Sequence, residues 1–254
     1  MQGLEPLSTT RRPILNMTWL DLAFLHWRVP AAALERTLPA GLRLQTFDGS
    51  AWLGVVPFRM ADVRATGLPR VPGTHAFLEL NLRTYVTDGT RPGVWFYSLD
   101  CENLLAVRGA RAAFHLPYLD ARMQTKHHGD LLDYSSVRTH PGHPPATFRG
   151  QYRARGPAFQ SVPGTLEHWL TERYCLYSAD RAGRVYRGEI RHPSWTLQAA
   201  EVHIFENTLA LPLGLELGRV PDAAHFSRRL EVSAWLLEPV CIAVGRHFHL
   251  GKAR

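Results

Sequence analysis

The residues best placed to do chemistry lie between positions 77 and 122, FLELNLRTYVTDGTRPGVWFYSLDCENLLAVRGARAAFHLPYLDAR. Alternate side chains of an extended strand share a face. Phe77, Glu79, Asn81, Arg83 and Tyr85 therefore fall on one side, and Leu78, Leu80, Leu82, Thr84 and Val86 on the other. The second line is apolar and needs a core. The first sets a carboxylate, an amide, a guanidinium and a phenol in a row. A carboxylate can move a proton, a guanidinium can hold an anion and a phenol can donate a hydrogen bond. On a solvated sheet that row is ordinary surface, with Glu79 and Arg83 an exposed ion pair worth about 0–1 kcal/mol. Inside a barrel it is a binding site. Burial there would raise the Glu79 pKa, and an inward Arg83 would lower it again. Tyr97 stands across the hairpin as a second polar partner. The stretch closes in a cluster of Arg111, His115, Pro117 and Tyr118. Tyr118 reads equally as a core tyrosine bonded to backbone and as a donor to a ligand carbonyl or carboxylate.

Other chemistries find less support. The run from Glu189 to Trp195, EIRHPSW, is dense in polar groups around a turn and could close one mouth of a barrel, although a structural corner explains it as well. His26, His115 and His192 stand alone and read first as packing residues. His140/His143 and His247/His249 are close histidine pairs, and neither has a cysteine or carboxylate at ligand spacing, so no metal and no cofactor is expected. The GxSxG, GxGxxG and P-loop patterns are missing. The only lysines are Lys126, in a polar turn, and Lys252, the third residue from the end. Neither is placed to lose its proton in a core, which argues against Schiff-base chemistry.

The elements that would position these groups follow from patterning. Residues 1–16 read as an irregular arm and 17–27 as a strand of the barrel wall. A short helix over AAALERTL (31–38) stops at Pro39 and Gly41. Strands over 42–47 and 50–60 flank the Asp48-Gly49 turn, with Pro57 marking an edge or a bulge. Residues 62–75 read as a loop. After the 77–86 and 94–100 hairpin, 102–114 is the strongest helix. Leu104, Leu105, Val107 and Ala112 supply its apolar face, and Asp100 or Asn103 its cap. Strands over 118–125 and 130–139 pair about His127-His128-Gly129. Others span 147–155, 174–178, 185–191, 196–205 and 230–237, with a short helix at 165–173. Short strands with Gly/Pro punctuation and three short helices indicate an α+β fold, mainly β, as one domain over 1–254.

Composition narrows the setting. Apolar content of 45% and charged content of 20% suit a folded protein with a real core. Cys101, Cys175 and Cys241 are odd in number and far apart, which points to a reducing compartment. No apolar leader is visible at the N-terminus, and VSAWLLEPVCIAV is interrupted by Glu238 and Pro239, so no bilayer-spanning segment is expected. The protein reads as cytoplasmic. The net charge of +7 is almost entirely arginine. No arginine run exceeds two and no nucleic-acid-binding pattern appears, so nucleic acid is the weakest candidate partner. A homo-oligomer is compatible with the sequence, which does not fix the oligomeric state.

Several blocks carry a family resemblance: HWRVP, LPAGL, TFDGSAWLGVVPFRM, FLELNLRTYV, RPGVWFYSLD, LPY, ERYCLY, RGEIRHPSWTLQ and HFS. Together they resemble the YqjF-like family of uncharacterised bacterial proteins, placed in the acetoacetate-decarboxylase-like superfamily. The resemblance implies a β-barrel with flanking short helices and an internal ligand cavity. Glu79 falls where acetoacetate decarboxylase has a carboxylate, Leu99-Asp100 match its Leu-Asp pair, and Arg111 leads to Pro117 as in that enzyme. The catalytic lysine that follows is replaced by Tyr118, and the supporting N-terminal arginine has no match at Trp19 or Leu20. The resemblance thus implies a small-molecule site for an oxo-acid or related carboxylate, lyase- or hydrolase-like without an imine. Glu79 and Tyr118 are the candidate acid/base residues, and Arg83, Tyr97, Arg111, His115 and His192 the candidate ligand-binding residues. A binding protein with no catalysis uses the same cavity equally well.

Overall fold

In the computed structural model, which describes residues 11–67 and 76–240, the chain enters its sheet at Leu15. Strand β1 (Leu15–Val29) leads through helix α1 (Ala31–Glu35) and the two-residue β2 (Arg43–Leu44) to β3 (Ala51–Ala65), β4 (Ala76–Thr87) and β5 (Pro92–Cys101). Helix α2 (Leu104–Phe114) precedes β6 (Tyr118–His128), β7 (Leu131–Arg138) and β8 (Thr147–Gln160). Helix α3 (Leu166–Thr171), β9 (Cys175–Ala179), β10 (Val185–Arg191), β11 (Thr196–Asn207), β12 (Ala223–Ala234) and the short β13 (Glu238–Pro239) complete the order.

The pairings close on themselves. β4 and β5 form the expected antiparallel hairpin, Glu79 opposite Cys101 and Thr87 opposite Pro92. One circuit runs β5-β6-β7-β8-β11-β12-β1-β3-β4 and back to β5. A second leaves β5 through β9 and β10 to β12. The wall β12-β1-β3-β4-β5 is common to both, so its strands are buried on two faces. Leu78, Leu80 and Leu82 pack with Leu53, Leu25, Tyr134, Phe148 and Tyr152. The opposite face, with Phe77, meets Phe24, Phe58, Leu99, Tyr118 and Trp195. That double burial decides the question the alternation left open: the polar row of β4 faces an interior.

Irregularities in the ladders sit at residues that tolerate them. Between Leu20↔Arg59 and Leu25↔Val55, β1 carries one residue more than β3, and Asp21 there has φ 51°. Between Asn16↔Arg64 and Thr18↔Ala61 the extra residue is on β3, and Asp62 there has φ 54°. Aspartate is among the few side chains that accept the left-handed region. Pro57, without an N–H, falls in the unpaired stretch of the first bulge, as its type requires.

Several element boundaries correct the sequence reading. The arm ends earlier than residue 16, because β1 already pairs with β12 and β3 at Leu15; residues 1–10 lie outside the described part. The 62–75 loop is shorter at its start, because the Asp62 bulge lets β3 continue to Ala65. β12 begins at Ala223 rather than 230, since it pairs along nearly the whole of β1 despite its arginines. In α2, Leu104 and Leu105 are 58% and 65% exposed, not core. Asn103 Oδ1 accepts from the Ala106 amide and sets the helix phase. Val107 is then buried, with Ala106, Ala110 and Phe114 packed beside it. No helix among the described residues is long and apolar enough to cross a membrane. Cys101 and Cys175 are buried free thiols, and Cys241 lies outside the described residues.

Candidate functional site

Glu79 projects from β4 into the cluster shared with β5, β6 and α2. The chain returns from α2 through Pro117, and Tyr118 opens β6 beside Leu99. The Tyr118 hydroxyl donates to Glu79 Oε2 at 2.9 Å. The carboxylate is 2% exposed and Tyr118 is also buried. Burial pushes the Glu79 carboxyl up to about 8, against the pull of the Tyr118 hydrogen bond. Burial, then the charge of Glu79, moves the Tyr118 phenol well above its ordinary value. Arg83 is not among the groups acting on Glu79, which corrects the expected ion pair: the partner is Tyr118, supplied by another strand. At neutral pH this is a neutral carboxylic acid joined to a phenol, and the carboxyl is the member that titrates close to physiological pH.

Further along the same face lies a second polar group. Arg83 has its guanidinium over Phe24 at 5.2 Å and Tyr85 at 5.7 Å. Its NH2 group makes only long contacts, 3.4 Å to the Leu170 carbonyl and 3.5 Å to the Tyr85 hydroxyl, and its Nε is buried without a partner. His26, on β1, meets the Tyr85 hydroxyl at 2.6 Å. Burial, then Arg83 and His225, holds its pKa well below the ordinary histidine value, so it is neutral. Gly54 makes this approach possible: a Cβ there would lie 3.0 Å from His26 Nε2 and 3.4 Å from Arg83 Cγ. Arg173, between α3 and β9, stacks over Trp169 at 4.5 Å and Tyr85 at 4.9 Å. It donates to the Trp169 carbonyl at 2.7 Å and to Gln45 Oε1 at 2.6 Å. Burial lowers its pKa to about 9, which leaves it cationic at neutral pH.

The other sequence candidates separate from these groups. His192 stacks on Tyr174 at 4.5 Å and lies 3.4 Å from the Arg173 carbonyl, so it borders the arginine cluster as a packing residue. Its neighbour Glu172 takes the Tyr174 hydroxyl at 2.5 Å and the Trp195 amide at 2.9 Å. Tyr97 does not oppose Arg83. The β4–β5 register shifts there, pairing Arg83 with Phe96, and leaves Tyr97 as the bulged residue. Its hydroxyl meets Thr37 at 2.7 Å, and it lines a cleft of about 380 Å³ with His115, Trp95 and Pro117. His115 ends α2 with φ 48° and lies against Tyr186. Arg111 donates to the Tyr118 carbonyl at 2.7 Å and so holds the backbone at the start of β6. Asp100 is paired with Arg138, at 2.9 Å, rather than facing Glu79. Lys126 is exposed on β6, and Lys252 lies outside the described residues. Among the described residues no three His, Cys, Asp or Glu side chains are grouped to hold a metal; His247 and His249 lie outside them.

Residues 16–231 match the DUF2071 family of uncharacterized conserved proteins. The chain belongs to this family. It is 41% identical over 224 residues to the uncharacterized protein YqjF of Bacillus subtilis strain 168, covering 88% of this chain and 91% of that one. Among solved structures it is similar to the enduracididine biosynthesis enzyme MppR with pyruvate bound, with a TM-score of 0.60, 11% identity and coverage of 91% and 92%. It is also similar to acetoacetate decarboxylase from Legionella pneumophila, with a TM-score of 0.60, 13% identity and coverage of 95% and 92%. At that identity the likeness concerns the fold, which is acetoacetate-decarboxylase-like.

Within this DUF2071 chain the sequence reading missed His26, Tyr85 and Arg173 as a group. Tyr85 stood in the polar row of β4, but His26 looked solitary and Arg173 was hidden in a short helix-to-strand block, ERYCLY. An arginine beside two aromatics and a glutamate in a stretch otherwise reading as core was the one local signal available.

Proposed function

We propose that the protein holds a small oxo-acid or related carboxylate inside the strand circuit, and that Glu79 and Tyr118 act on it as a proton-transfer pair without a Schiff base. The observation that carries this reading is the buried 2.9 Å contact between a phenol and a carboxyl whose pKa is raised to about 8. A base of that strength in a site shielded from water suits removal of a proton next to a carbonyl. In such a step the ionised Glu79 takes the proton from carbon. The electron pair moves onto the carbonyl oxygen, which accepts a hydrogen bond from Tyr118. The reaction class is then lyase- or hydrolase-like, and the pyruvate-bound neighbour supports the choice of an oxo-acid.

Exchange in D2O tests it. Proton NMR of pyruvate incubated with the protein should show methyl deuteration above the solvent rate, rising as pH approaches about 8. Glu79→Gln should lower that rate by a factor of about 10² or more. No protein-dependent exchange with pyruvate or longer 2-oxo-acids would end the catalytic reading. A binding-only role draws support from the aromatics packed around the pair, Phe24, Phe58, Trp19 and Trp195. In that case the oxo-acid shifts the melting temperature and no proton is exchanged.

A further inference from the structure

Among the described residues, two cations lie in the interior with no anion beside them. Arg83 is 8% exposed and Arg173 is 3% exposed. Among the described residues neither guanidinium lies within ion-pair distance of a carboxylate, whereas the other buried arginine, Arg138, is forked onto Asp100. The nearest buried acid in sequence, Glu172, is already engaged by Tyr174 and the Trp195 amide. Glu79 is engaged by Tyr118. Arg83 Nε and Arg173 NH2 are buried donors with no acceptor. A guanidinium shut away from water without an anionic partner is among the most costly groups a core can contain. Placing two of them around one tyrosine ring compounds the cost through mutual repulsion.

Further polar groups and a close backbone approach surround the two arginines. His26 and the Tyr85 hydroxyl form a 2.6 Å pair at the edge of the cluster, and His26 Nδ1 is a further buried atom without a partner. Gly54 keeps the β3 backbone close to His26 and Arg83 where a side chain would crowd both. Above the cluster, Trp169 of α3 leans on Tyr85 at 4.7 Å and on Phe47 at 5.7 Å. Phe47 belongs to the Asp48-Gly49 turn, and both rings are partly exposed. The cluster therefore lies one aromatic layer beneath the surface, under the rings of Trp169 and Phe47.

We propose that Arg83 and Arg173, flanking Tyr85 beneath α3, form the subsite that recognises the carboxylate of a small organic acid. This rests on the small-molecule reading above and deepens it: the arginines hold the acid group of the molecule bound within the strand circuit. Planar guanidinium donors match a carboxylate in geometry as well as charge. His26 is a neutral neighbour that adds a hydrogen-bonding group without a third positive charge.

Calorimetric titration of the full-length protein with pyruvate, malonate and inorganic phosphate tests the proposal. Pyruvate and malonate should bind, and phosphate at least tenfold more weakly. Arg83→Gln and Arg173→Gln should each weaken carboxylate binding by tenfold or more, while Glu79→Gln binds pyruvate and loses proton exchange. Wild-type affinity in both folded arginine variants would overturn the proposal, as would phosphate binding as tightly as the carboxylates, or no binding by any of the three. Arginine-dependent binding of pyruvate without Glu79-dependent exchange would refute the proton-transfer reading and leave this subsite standing. Exchange that survives both arginine substitutions would do the reverse. If a variant fails to fold, wild-type crystals grown with malonate decide the matter. Malonate bonded to the two guanidinium groups supports the subsite, and malonate bound only elsewhere overturns it.

Discussion

Glu79 shows how far a single side chain depends on its surroundings. Its carboxyl pKa rises from 4.5 to about 8 on burial, so the folded protein binds that proton more tightly than the unfolded chain does. The contribution of Glu79 to stability is then fully present below pH 4.5 and is lost as pH climbs through about 8. Glu79→Gln keeps an acceptor for the Tyr118 hydroxyl and carries no charge at any pH. The variant should be more stable than the parent by on the order of 3 kcal/mol at pH 7, with the difference vanishing near pH 4. Urea denaturation at the two pH values measures this. A gap independent of pH would mean that the carboxyl titrates as an exposed one. Arg83 could not be read correctly from its spacing to Glu79, because the hydrogen-bond partner of that carboxyl arrives from β6, 39 residues away.

At the scale of elements, α2 is where pattern and structure part. Leucine content alone points its core face at Leu104 and Leu105, yet the cap at Asn103 and the anchor at Val107 rotate them into solvent. Helix phase is set by which residue terminates the backbone hydrogen bonds as well as by apolar content. Leu104→Glu and Leu105→Lys should each change stability by less than about 0.5 kcal/mol. Val107→Ala should cost about 2 kcal/mol, and Asn103→Ala about 1 kcal/mol. Thermal melts of the four variants check the order, and a large loss at Leu105 would contradict the orientation. The β5 bulge at Tyr97 is a second case: the hairpin offers that phenol as a second polar partner across from the β4 row, and one inserted residue moves it to the outer cleft with Thr37.

For the whole molecule, closure of the strand circuits couples the two ends of the described chain. β1 pairs with β12 along eleven residue pairs and with β3 on its other edge, and β10 joins β12 to β9. We expect one domain and hence one cooperative urea transition, with tryptophan fluorescence and far-UV circular dichroism coincident. Two separated transitions would show that the two circuits fold independently. Part of the arginine excess among the described residues is engaged in ion pairs. Arg153 and Arg155 share Glu201, Arg187 meets Asp88, Arg184 meets Asp180 and Arg108 meets Asp120.

What the sequence by itself determined is local. The alternation of β4, the hairpin from Thr87 to Pro92, the Asp48-Gly49 turn and the cap at Asn103 each depend on side chains within a few residues of one another, and backbone sterics read such patterns directly. The scarcity of lysine also stands in the sequence: Lys126, exposed on β6, is the only one among the described residues. The tertiary structure decided which neighbours the polar row of β4 would have. Glu79 with Tyr118, and Arg83 with His26 and Arg173, come from strands and loops far apart in the chain. The physical reason is that exclusion of water is collective. A carboxyl or a guanidinium is buried only when every strand of the circuit around it is in place, and no stretch of sequence contains that information alone.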